Sequence, residues 1–136
     1  MKLINPDLGK LFLRIGIGGL TLFHGINKLY YGFGGIKQLL IQNKLPEMLW
    51  IGAFLGEVIA PLCILFGVAT RISAYLVAIT MIFSIYLVFG FSGFKTTEHG
   101  GLVVELNLLY MFASLGLAMI GGGKYALYKK ETGIFS

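Results

Sequence analysis

Charge is what this sequence has least of. Aspartate, glutamate, lysine and arginine make up 12% of its 136 residues, against 57% hydrophobic residues. The mean hydropathy is +0.84. That charged share is about half that of a soluble domain, too little to cover a core this apolar. A soluble fold is excluded on that ground, and one small integral membrane domain over residues 1–136 is expected. Cysteine is nearly absent. Cys63 stands alone, so no disulfide or CxxC pair can form within the chain, and dithiol redox chemistry by this chain alone is excluded. The HxxxH and ExxH spacings are missing, so no metal site is expected. No nicotinamide, flavin or haem motif is present. GIGGL and GFGGI lack the following Lys-Ser/Thr of a phosphate loop and serve packing and turns.

The chain does have long apolar runs. Four spans are expected, at about residues 7–30, 47–68, 72–91 and 101–120, giving an all-α, four-transmembrane-helix antiparallel bundle. The third, ISAYLVAITMIFSIYLVFGF, carries no charge. Asn5-Pro6-Asp7 and Leu45-Pro46-Glu47 offer helix starts, and Gly121-Gly122-Gly123 a stop. The tight connection through Gly67 and Thr70-Arg71 makes the second and third helices antiparallel neighbours. GIKQLLIQNKL has helical spacing and suits a short helix in the membrane interface. The basic start is followed by no small-residue cleavage site, so the first helix is expected to be retained.

The net charge of +5 would suggest nucleic acid in a soluble protein. Here the lysines gather at the ends of apolar runs, where they anchor to a lipid bilayer, and no nucleic acid partner is expected. Four crossings put Lys2, Lys10, Arg71, Lys124, Lys129 and Lys130 on one side, with Arg14 adding to it. Lys28, Lys37, Lys44 and Lys95 fall on the other. The bias points to a multi-pass protein with cytoplasmic termini.

Ionisable residues inside the spans are the informative ones, because each costs ~2.5–3.5 kcal/mol near the bilayer centre. They are Arg14, His24, Glu57 and Glu105, with Lys28 and His99 at the edge. At ~1.5 Å per residue, Lys28 lies roughly 3 Å from the outer boundary, Glu105 about 8 Å, His24 about 9 Å and Glu57 about 15 Å. His24 and Lys28 are i,i+4 and share a face. Pro61 has no N–H, so the Glu57 carbonyl loses its helical partner and leaves a polar spot. Gly52 and Gly56 favour close helix approach there. Each residue admits a structural reading. His24 can be an interhelical hydrogen bond, Lys28 and Arg14 can snorkel to headgroups, and Glu57 can pair with Arg14 or Lys28. Glu105 is divided evenly between function and an ion pair. Tyr30, Tyr31 and Phe33 suit an aromatic belt.

The stretches LFLRIGIGGLTLFHGINKL, LGEVIAPLCILFGVATRISA, GGLVVELNLLY and GGGKYALY together resemble the DoxX family of small four-helix membrane proteins. The resemblance implies a bundle in the bacterial cytoplasmic (inner) membrane and an oxidoreductase linked to quinones. On that expectation His24, Glu57 and Glu105 handle protons, while Lys28, Arg14 and Tyr30 contact a quinone-like molecule. The electron donor is then a partner redox protein or a soluble reductant, and a homodimer is an alternative association. The rival reading is a small transport or assembly protein whose polar cluster is structural.

Overall fold

A computed structural model of the chain describes residues 4–128 and 133–136. Lys2, Lys129 and Lys130 lie outside the described residues. Among the described residues the fold is all-α, with no strand and one isolated bridge between Thr96 and Leu102.

Helix α1 covers residues 6–31. Asn5 caps it, its Oδ1 accepting from the Asp7 and Leu8 amides at 3.1 and 3.2 Å, with Pro6 in the first turn. Gly32, at φ 89°, releases the chain into α2, Gly34–Gln42, the short helix that the GIKQLLIQ spacing predicts. Helix α3 runs from Glu47 to Phe66 and stops at Gly67, φ 71°. There the Val68 amide reaches the Cys63 carbonyl and the Gly67 amide reaches Ile64, a Schellman motif. Helix α4, Thr70–Phe94, follows at once, and α5 is Glu105–Ile120. The last helix starts four residues later than the 101 expected. Gly100 at φ 87° and the bonds Thr97 N–H to Gly101 O and Val103 N–H to Lys95 O fold the preceding residues into a compact turn.

Helices α3 and α4, with mean hydropathies of 2.1 and 2.2, are long and apolar enough to cross a membrane. Helix α1 carries Asp7, Lys10, Arg14 and Lys28, and α5 has only 16 residues, so neither matches them in length and apolarity together.

Side chains at one end hold the helices in alternating directions. Asp7, at the start of α1, accepts from the Lys124 amide just past α5. Arg71, at the start of α4, donates to the Ala118 and Met119 carbonyls at the end of α5. The buried core between them uses Ile17 from α1, Ala60 and Ile64 from α3, Ala74, Val77 and Met81 from α4, and Leu117 and Ala118 from α5. Three π-helical turns interrupt this regularity, at Ile15–Gly19, Leu55–Ile59 and Ile85–Phe89. Such turns often occur at functional sites.

Candidate functional site

One of the three π turns carries a charge into the bundle. The turn Leu55–Ile59 contains Glu57, four residues before Pro61. The Glu57 carbonyl, freed by that proline, lies against Gly25 of α1. A Cβ at Gly25 would overlap the carbonyl itself, so only glycine permits this approach. His24 and Lys28 flank Gly25 on the same helix. The close approach carries Lys28 Nζ to Glu57 Oε2 in a direct ion pair. The Glu57 side chain is only 7% exposed and that of Lys28 26%. On the other side of α3, a Cβ at Gly56 would overlap the Thr80 hydroxyl, which brings α4 equally near.

The ion pair stands between two cavities. The larger, about 670 Å³, lies among the end of α1, the short helix α2, α3 and α4. Its wall is chiefly apolar, with Ile36, Leu39, Leu49, Phe83 and Leu87 prominent. The smaller, about 210 Å³, lies among α1, α3, α4 and α5. It is lined by His24, Asn107 and Tyr110 as well as by apolar groups. Lys28, Glu57, Ser84 and Val88 face both. Asn107 Nδ2 donates to Ser84 Oγ at 3.4 Å and ties α5 to this wall. A molecule with an apolar body and a polar end would fit the large cavity with its polar end at the pair. The small cavity supplies an imidazole and hydrogen-bonding groups behind it.

The residues singled out from sequence divide into two groups. His24, Lys28 and Glu57 converge. Arg14, Tyr30 and Glu105 line neither cavity. Arg14 is 1% exposed, and its guanidinium is committed to backbone carbonyls at the other end of the bundle. Nε donates to Ile64 O at 2.8 Å, Nη2 to Leu65 O at 2.6 Å and Nη1 to Gly122 O at 3.4 Å. These carbonyls lie at the end of α3 and just past α5, and Ile64 O already accepts from the Gly67 amide, so Arg14 ties the two ends together rather than snorkelling. It does not pair with Glu57; Lys28 does. Tyr30 is exposed and packs edge-on against Tyr31. Glu105 is exposed in the first turn of α5, its carboxylate against Gly101. Its side of α5 is set by the turn before it, which depth counting does not capture. His99 is exposed in that turn. Ser84, Asn107 and Tyr110 were not singled out as site residues. Asn107 and Tyr110 are i,i+3 on α5, and that shared face was the available signal.

The DoxX family profile matches residues 9–90, which include His24, Lys28 and Glu57. A protein of Bacillus subtilis (strain 168) named "Putative oxidoreductase CatD" is 31% identical over 121 residues, covering 89% of this chain and 85% of that protein. No solved structure matches the chain. With a family profile over most of the helices and a relative aligned along nearly the whole of both chains, this protein belongs to the DoxX family, a family of membrane proteins.

Proposed function

We propose that this protein is a subunit of a membrane oxidoreductase in the bacterial cytoplasmic membrane, and that it binds a quinone-like molecule in the cavity that ends at Lys28 and Glu57. The bundle crosses the bilayer four times, α1 and α5 included, with α2 at the interface. The observation that carries the reading is the buried pair between an apolar cavity and a polar one. Quinone reduction adds two electrons and two protons to the ring oxygens. A reductant, delivered by a partner protein or in solution, supplies the electrons. Lys28 stabilises the negative charge that develops on the near oxygen. The Glu57 carboxylate takes up a proton by way of His24, on the small-cavity side, and passes it to that oxygen, while solvent protonates the far oxygen. The relative's name supports an oxidoreductase, and the apolar cavity supports a ring carried on a hydrophobic molecule.

The ion pair also favours a second reading, in which it fastens α1 to α3 in a transport or assembly protein and transfers no proton. One experiment separates the two. The protein is purified in mild detergent, bound small molecules are identified by mass spectrometry, and quinone reduction is followed with and without Glu57→Gln. The redox reading expects a stoichiometric bound quinone and loss of activity in a variant that remains folded in the membrane. Full activity of Glu57→Gln, or a clean empty protein with no quinone reductase activity, overturns it.

A further inference from the structure

The third cavity lies at the far end of α1, about 27 Å from Lys28 at ~1.5 Å per residue. It has a volume of about 520 Å³ and is lined by Asp7, Lys10, Arg71, Lys124, Ser136 and the Gly121-Gly122-Gly123 loop. Three basic residues thus line the hollow with one acidic side chain, and that carboxylate is already engaged. Asp7 Oδ1 accepts from the Lys124 amide at 3.1 Å and lies 4.0 Å from Lys10 Nζ. Arg71 Nε donates to Ser136 Oγ, itself part of the wall, and Nη1 donates to the Ala118 and Met119 carbonyls. Its Nη2 is turned to Gly121 and makes no hydrogen bond to the described residues.

The glycines keep the cavity open. Gly121 and Gly123 have φ of 75° and 76°, which only glycine adopts readily. A Cβ at Gly121 would lie 3.1 Å from Arg71 Nη2, and one at Gly123 would lie 2.8 Å from the Lys10 side chain. A side chain at Gly121 would press on the Arg71 guanidinium, and one at Gly123 on the Lys10 stem and the Asp7 carboxylate. The cavity also sits at the level where the apolar spans stop, since α3 ends at Phe66 and α4 begins at Thr70. A positive hollow at that level, between helices, suits a lipid phosphate.

We propose that this hollow binds a phosphate group, carried by an anionic lipid headgroup or by a phosphorylated solute. The site is separate from the Lys28–Glu57 cavities, so the fate of either proposal leaves the other standing. The test uses the full chain in mild detergent. Native mass spectrometry compares phosphatidylglycerol with phosphatidylcholine, and phosphorus NMR follows inorganic phosphate added without lipid. We expect phosphatidylglycerol to be retained at least fivefold better. Lys124→Gln should lower that retention roughly fivefold, consistent with ~1 kcal/mol per basic residue, while Lys124→Arg keeps it. Phosphatidylglycerol retention that phosphate does not displace identifies a headgroup. Phosphate binding with no lipid preference, lost in Lys124→Gln, identifies a solute. Equal retention of both lipids with no phosphate binding overturns the proposal. So does full selectivity in a Lys10→Gln/Lys124→Gln double variant.

Discussion

Arg14 and Glu57 are both buried, and the chain handles them differently. Arg14 spends its hydrogen bonds on three backbone carbonyls, two at the end of α3 and one just past α5. A lysine there keeps the charge but cannot fork to three acceptors at once. Losing one charge-assisted bond costs about 1.5–3 kcal/mol. We therefore expect Arg14→Lys to lower the thermal unfolding midpoint in detergent while leaving ligand affinity at the Lys28–Glu57 cavity unchanged. An altered affinity with an unchanged midpoint would return Arg14 to the ligand site. Glu57 meets one cation instead. Removing one partner of a buried pair commonly costs ~3–5 kcal/mol, but Lys28, at 26% side-chain exposure, retains a route to water. That is why Glu57→Gln is the informative change for function and Lys28 need not collapse with it.

At the scale of the helices, the site depends on two glycines with different neighbours. Gly56 approaches the Thr80 side chain, whereas Gly25 approaches the Glu57 backbone carbonyl. A side chain can be shortened and a carbonyl cannot. We expect Gly56→Ala to destabilise the protein by about 1–3 kcal/mol through overpacking, and Thr80→Ala to restore part of the loss, because it removes the hydroxyl and methyl but leaves the Thr80 Cβ 2.8 Å away. Gly25→Ala should be at least as costly and should gain nothing from shortening the adjacent Val58. Thermal unfolding of the single and double variants measures both couplings, and rescue of Gly25→Ala by Val58→Ala would contradict this account of the α1–α3 contact. The same contrast shows what the sequence makes legible. Depth along a helix is a matter of counting, so His24, Lys28 and Glu57 could be gathered from their positions alone. Pro61 marked the freed carbonyl in advance. The rotation of α5 follows instead from the compact turn before Glu105, built on Gly100 and long-range backbone bonds. Nothing in local periodicity fixes it, so the sequence alone does not separate Glu105 from Asn107 and Tyr110, which line the small cavity.

For the whole molecule the open physical question is orientation. The helices alternate in direction, so residues near the α1 start and the α5 end share one face of the bundle. Among the described residues that face has Lys10, Arg14, Arg71 and Lys124, and the opposite one has Lys28, Lys37, Lys44 and Lys95. The basic bias therefore rests on Lys2, Lys129 and Lys130, which lie outside the described residues but close in sequence to α1 and α5. Basic residues within about 15–20 positions of a span weigh most in setting topology. We expect the termini to be cytoplasmic and the Lys28–Glu57 cavities to lie in the outer half of the membrane. Single cysteines in a Cys63→Ala background can read this. Gln42→Cys and Glu98→Cys should react with an impermeant maleimide on intact cells with a permeabilised outer barrier. Leu127→Cys, 72% exposed, should react only once the inner membrane is opened. The reverse pattern would keep the bundle and invert it, placing the pair beside the cytoplasmic reductant pool. Labelling of positions 42 and 98 from opposite sides would rule out two crossings between them and, with them, the four-crossing bundle that the proposed site requires.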